Sequence, residues 1–204
     1  MPRSGEPTRQ RILDAAYAQF YRDGFARVTL DRIADRARVT KRTLYYHFDS
    51  KDALLGAVLD RQHELALARA RGLVPADARG AADALARLFA DLAAWTQTPR
   101  WQGAGFTRLA MELAGLPGHP ARKAARRHKA TVEAAIAEQL ARSGARDAAA
   151  IARLAVILIE GAAVLTLIHG GTAYVDAAAD AARQLASMRP RPRARRAASS
   201  RRGS

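Results

Sequence analysis

The residues best equipped for chemistry lie close together between Thr29 and Lys51, in the stretch TLDRIADRARVTKRTLYYHFDSK. Lys41, Arg42 and Thr43 follow Thr40 directly, and Tyr45, Tyr46 and His47 come just after them. Cations and hydroxyls crowded onto a short segment are suited to gripping phosphate oxygens and reading base edges. Arg42 has the planar fork that matches O6 and N7 of a guanine. Thr40 can cap a helix whose free amides and positive dipole end suit an anion. Thr29 can cap the helix before it and offer its hydroxyl to a phosphate.

Two short helical patterns must position these groups. Leu30, Ile33, Ala34 and Ala37 recur at i, i+3, i+4, i+7, one face of a 3.6-residue period. The second pattern opens at Thr40 and ends near His47, with Val39 and Leu44 pointing inward. Two short helices joined by a tight turn form a helix-turn-helix, and its second helix is the one that enters a DNA major groove.

The run VTKRTLYYHFDSKDALL resembles the signature of the TetR/AcrR (tetracycline-repressor-like) transcriptional regulators, and the likeness extends over about Thr8 to Val58. In that family, residues matching Tyr45 or Tyr46 and Lys51 hold the phosphate backbone. The resemblance implies a homodimeric repressor in the cytoplasm, seated on a palindromic double-stranded DNA operator and released by a small-molecule effector. It also implies a four-helix dimer interface made by the last two helices. Two positions depart from the family pattern. Arg38 stands where glycine is usual in the turn, and Arg42 where glycine or another small residue is usual.

Composition agrees with an all-α fold. The chain has 204 residues and few aromatics, with abundant alanine and almost no strand-like alternation. It has no cysteine, which excludes a disulfide scaffold and thiolate chemistry. No signal peptide is expected at the N-terminus, and the apolar run Leu154 to Ile168, interrupted by Glu160, reads as too short for a membrane span. The net charge of +15 collects at the two ends. Residues 1–51 hold 11 basic and 6 acidic side chains, whereas residues 189–204 hold 7 arginines and no acid. Basic ends beside a helix-turn-helix read as phosphate-binding surface.

The expected organisation is about nine helices. Residues 1–50 form a three-helix helix-turn-helix head with a flexible arm over 1–7. Residues 51–188 form a helical effector-binding and dimerisation domain. Residues 189–204 form a disordered arginine-rich tail. Ile12, Phe20, Phe25, Leu30, Ile33, Val39, Leu44, Phe48 and Leu54 supply a core for the head. Helices are expected over 8–24, 51–71, 81–97, 101–116, 119–144, 147–169 and 172–188, with a break over 72–80.

The stretch 147–169 is apolar all round, and such a helix must be covered all round. Leu154, Ile157, Leu158, Ala162, Leu165 and Ile168 are the candidate dimer contacts. Trp95, Trp101, Phe106, Met111, His128 and Glu160 are the candidate effector contacts, although rings on amphipathic helices are more often plain core. Glu160, the sole charge in an apolar helix, needs a partner. No metal-ligand spacing, nucleophile elbow, P-loop or dinucleotide glycine motif is present, so no metal, cofactor or enzymatic activity is expected. The alternatives to a regulator are a nonspecific nucleic-acid or nucleoid protein and, further off, a helical enzyme. Salt separates the first pair, because only a regulator keeps a large preference for its operator as salt rises.

Overall fold

The computed structural model describes residues 5–72, 79–99, 101–116 and 118–187. They form nine helices and no strand: α1 Gly5–Asp23, α2 Leu30–Ala37, α3 Lys41–His47, α4 Lys51–Gly72, α5 Ala81–Thr96, α6 Gly105–Glu112, α7 Pro120–Arg142, α8 Ala148–His169 and α9 Ala173–Ser187. Residues 1–4 of the expected arm, 73–78 of the expected break and the tail 189–204 lie outside the described residues.

Three expectations change. Gly5 to Pro7 belong to α1 rather than to an arm. The helix expected over 101–116 is only Gly105–Glu112. In place of its first turn, the Tyr21 hydroxyl accepts from Gln102 N at 2.9 Å and donates to Gly103 O at 3.0 Å, holding non-helical backbone. Gly103 meanwhile sits at φ 86°, outside the helical region. Finally, α8 is a full 22 residues, with a mean hydropathy of 2.2 over its most apolar window, long and apolar enough by itself to cross a membrane. One face of it, Ala152, Ala155, Ala162, Ala163 and Thr166, is nevertheless buried in protein.

Two cores hold the molecule. The first gathers Ile12, Phe20, Phe25, Ile33, Leu44, Phe48 and Leu54, with Leu30 and Val39 partly buried against it. It also takes in Phe106 and Leu113 from the α6 region and Ala121 and Ala125 from α7. The head is therefore closed by the body, and the packing runs straight across residue 50. The second core joins α5, α7, α8 and α9 through Leu85, Phe89, Ile136, Leu140 and Val175. Helix α4, about 33 Å long at 1.5 Å per residue, packs on both α1 and α7.

Candidate nucleic-acid interface and effector cavity

The helix-turn-helix is built by caps. Thr29 accepts from Arg32 N at 3.3 Å, and Thr40 accepts from Thr43 N at 3.1 Å. Between them Arg38 takes the left-handed conformation, φ 54° and ψ 48°, and its amide closes α2 onto Ala34 and Asp35. It is the only non-glycine residue with positive φ among the described residues. Asp23 ties α1 to α2 through Arg32, and the hydrogen bond from its neighbour Arg22 draws its carboxyl down to about 2.

On α3, Leu44 and Phe48 are buried and turn the opposite side outward. Lys41, Arg42, Tyr45 and Tyr46 are exposed, Tyr46 at 84%. Lys41 pairs with Asp31 at 2.8 Å, which raises its pKa, but both partners are open to water. An exposed pair contributes little and is readily exchanged for a phosphate. Thr43 is half-buried and its hydroxyl lies 2.8 Å from that of Thr40, so both are occupied by the cap. His47 is half-buried, edge-on to Tyr46 and close to Gly5, where an added Cβ would lie 3.2 Å from the ring. Lys51 folds over the Phe25 ring at 4.2 Å and reaches Ala26 O at 3.4 Å. Burial lowers its pKa.

The head is clasped from behind by α6. Glu112 accepts from Phe25 N at 3.0 Å and from Ala26 N at 2.8 Å, in the turn before α2. Gly24, at φ 83°, leaves room for that carboxylate, since a Cβ there would come within 3.1 Å of it.

Beside α6 lies a cavity of about 950 Å³ bounded by α1, α4, α5, α6, α7 and α8. Four of the six candidate effector residues line it: Trp95, Phe106, His128 and Glu160. Two do not. Met111 points to solvent, 67% exposed, because α6 turns its other face inward. Trp101 packs edge-on behind Trp95 at 5.6 Å rather than on the wall. Glu160 takes its charge partner from Lys129 and a further hydrogen bond from Thr107. His128 stacks on Phe106 at 3.9 Å and shares a 3.0 Å hydrogen bond with His63. Burial, with the nearby Lys129 charge, lowers its pKa to about 4. Tyr17, Tyr21 and Lys129 also face the cavity. The four-residue spacing of the tyrosines was the available signal, but it reads equally as core.

The candidate dimer contacts divide. Leu154, Ile157, Leu165 and Ile168 are exposed, Ile157 at 61% and Ile168 at 66%. Ala162 is in the chain's own core, and Leu158 is half-buried against it, because α7 and α9 cover that side of α8. Among the described residues no group of three or more potential metal ligands is present.

Residues 12–58 match the family described as bacterial regulatory proteins, tetR family. The chain is 51% identical over 63 residues to the HTH-type transcriptional regulator SrpR of Pseudomonas putida, covering 30% of each chain. It is 46% identical over 59 residues to the HTH-type transcriptional regulator TtgR, also of Pseudomonas putida, covering 29% of this chain and 28% of that one. The chain thus matches under a third of the length of these curated relatives. Solved structures extend the likeness. A TetR-type transcriptional regulator from Streptomyces avermitilis is 30% identical with a TM-score of 0.75, over 89% of this chain and 99% of that one. A TetR-family regulator from Streptomyces coelicolor is 28% identical with a TM-score of 0.76, over 90% and 97%. Head and body are therefore shared together with a relative along almost its entire length, and the chain belongs to the TetR family of bacterial transcriptional regulators.

Proposed function

We propose that the protein is a cytoplasmic, sequence-specific DNA-binding regulator: a homodimeric repressor that leaves its operator when a small molecule fills the cavity. The observation that carries this reading is α3, capped at Thr40 and anchored by Leu44 and Phe48, with Lys41, Arg42, Tyr45 and Tyr46 directed outward. Lys41 and Arg42 read base edges; Tyr45, Tyr46 and Thr29 meet phosphates. The occupied Thr43, His47 and Lys51 contribute by shaping the surface and, on loosening, by further backbone contacts.

Dimerisation is supported by α8. Leu154, Ile157, Gly161, Leu165 and Ile168 form one exposed stripe at helical spacing. Gly161 disfavours a helix interior by about 1 kcal/mol against alanine, yet a Cβ there would meet nothing within 4 Å. Nothing among the described residues requires that glycine, and it leaves room for close approach of a second helix. Two heads so joined meet half-sites about 34–36 Å apart or a multiple of it.

Footprinting on the DNA flanking its own gene tests the reading. A protected palindrome is expected, and Lys41→Ala with Arg42→Ala should abolish the protection while the helical circular dichroism stays unchanged. Unaltered operator affinity in the double variant refutes the assignment. Binding that vanishes equally for every sequence as salt rises favours the nonspecific alternative.

A further inference from the structure

The charges on the cavity wall are almost all satisfied within the chain. Arg61 pairs with Asp14 at 2.5 Å, and Lys129 with Glu160. Arg108 donates to Tyr21 O at 2.9 Å, Gln102 O at 3.0 Å and Gln102 Oε1 at 3.2 Å. Glu112 is held by two backbone amides. His128 is neutral near pH 7. Asp91 is exposed at the rim, where water solvates it. An ionic ligand at Lys129 or Glu160 would have to compete with the counter-charge already there, and at Arg108 or Glu112 it would displace hydrogen bonds whose backbone partners would then go unpaired. An uncharged ligand breaks none of them.

The rings point the same way. The chain has only two Trp, five Tyr and five Phe. Of these, Tyr17, Phe20, Tyr21, Trp95 and Phe106 stand on this one wall. Tyr17 and Tyr21 stack at 5.7 Å on one side, and Phe106 and His128 stack on another. Flat faces of this kind favour offset stacking with a flat partner. On the wall Lys129 is already paired with Glu160, which also accepts from Thr107 behind it. An ammonium has three donors and a carboxylate about four acceptor sites. The group therefore has capacity for a ligand hydroxyl or carbonyl without giving up its own pairing.

We propose that the cavity takes an uncharged, flat aromatic molecule, held between ring faces and oriented by a polar substituent at the Glu160–Lys129 pair. This inference rests on the ligand-responsive reading above and deepens it by naming the ligand class.

Three aromatic dyes test it against the full chain, in enough salt to screen the +15 surface. They are uncharged N-phenyl-1-naphthylamine, anionic 1-anilinonaphthalene-8-sulfonate and cationic 9-aminoacridine. The uncharged dye should bind at least about tenfold more tightly than either ion, a difference of about 1.4 kcal/mol. Val132→Trp, which fills the cavity, should weaken it by about tenfold or more. Glu160→Gln frees Lys129 and should shift preference toward the anion; Lys129→Met frees Glu160 and should shift it toward the cation. Equal or tighter binding of either ion by the unmodified chain overturns the proposal, a result that needs no variant to fold. So does dye affinity indifferent to Val132→Trp, which places the dye outside the cavity. Operator footprinting is run in parallel. If no dye binds while the operator is protected, the ligand class falls and the regulator reading stands. If the uncharged dye binds with the expected selectivity but no sequence is protected, the regulator reading falls and the cavity assignment stands.

Discussion

Arg38 and His128 are residues whose local physics makes measurable predictions. Arg38 holds a left-handed backbone that disfavours a side chain by about 1–2 kcal/mol, and glycine there would relieve it. Glycine also raises the entropy of the unfolded chain by about 0.5–1 kcal/mol. The expected net result for Arg38→Gly is thermal stability equal to or up to about 1 kcal/mol above that of the parent, while Arg38→Val should fall below it. His128 is driven down to about 4 from its ordinary 6.5 by burial and by Lys129. As pH falls below about 6.5 the unfolded chain takes up a proton that the folded chain refuses, so stability should decline from there to about pH 4 and then level off. Thermal melts across that window should flatten in His128→Gln; an equal slope in the variant would assign the decline to other groups.

At the scale of elements, α6 is the piece that meets both the cavity and the head. Phe106 and Leu109 face the cavity, while Glu112 at its end holds the backbone of residues 25 and 26. Removing that carboxylate leaves a part-buried amide at Phe25 without a partner, a loss of about 1–3 kcal/mol. Glu112→Ala should therefore lower the melting temperature by several degrees, roughly 2–4 °C for each kcal/mol in a chain of this size. It should also speed hydrogen exchange at amides 25 and 26, with those of α8 unaffected. Exchange raised uniformly through the chain would show that Glu112 acts on global stability rather than on this turn.

For the whole molecule, the exposed stripe on α8 is the surface proposed to carry the assembly. Only 28% of its most apolar window is buried by this chain, and burying an exposed isoleucine is worth about 1.5–3 kcal/mol. Ile157→Glu with Ile168→Glu places two carboxylates in that stripe on each copy. Light scattering at micromolar concentration should then give the monomer mass, with operator affinity reduced by more than about tenfold, since two half-sites are no longer held by one particle. A dimer mass retained by the variant would place the contact elsewhere on the molecule.

The head was largely legible in the sequence because its determinants are local. A threonine cap, a 3.6-residue apolar period and a basic run are read along the chain, and α2 and α3 fall over Leu30–Ala37 and Lys41–His47 as their caps dictate. The positions of Ile33, Leu44 and Phe48 in the core follow from the same period. What surrounds the cavity depended on partners far apart along the chain, and periodicity carries no information about those. Glu160 needs a counter-charge on any reading, but only packing of α7 on α8 selects Lys129. Trp101 and Met111 looked no different from Phe106, yet Tyr21 holds the backbone of 102 and 103 outside α6, and α6 itself buries Phe106 and turns Met111 to solvent. Likewise α8 is apolar around its whole circumference, so sequence alone could not say which side its own neighbours take. The contacts with α7 and α9 bury Ala162 and leave Ile157 and Ile168 outside.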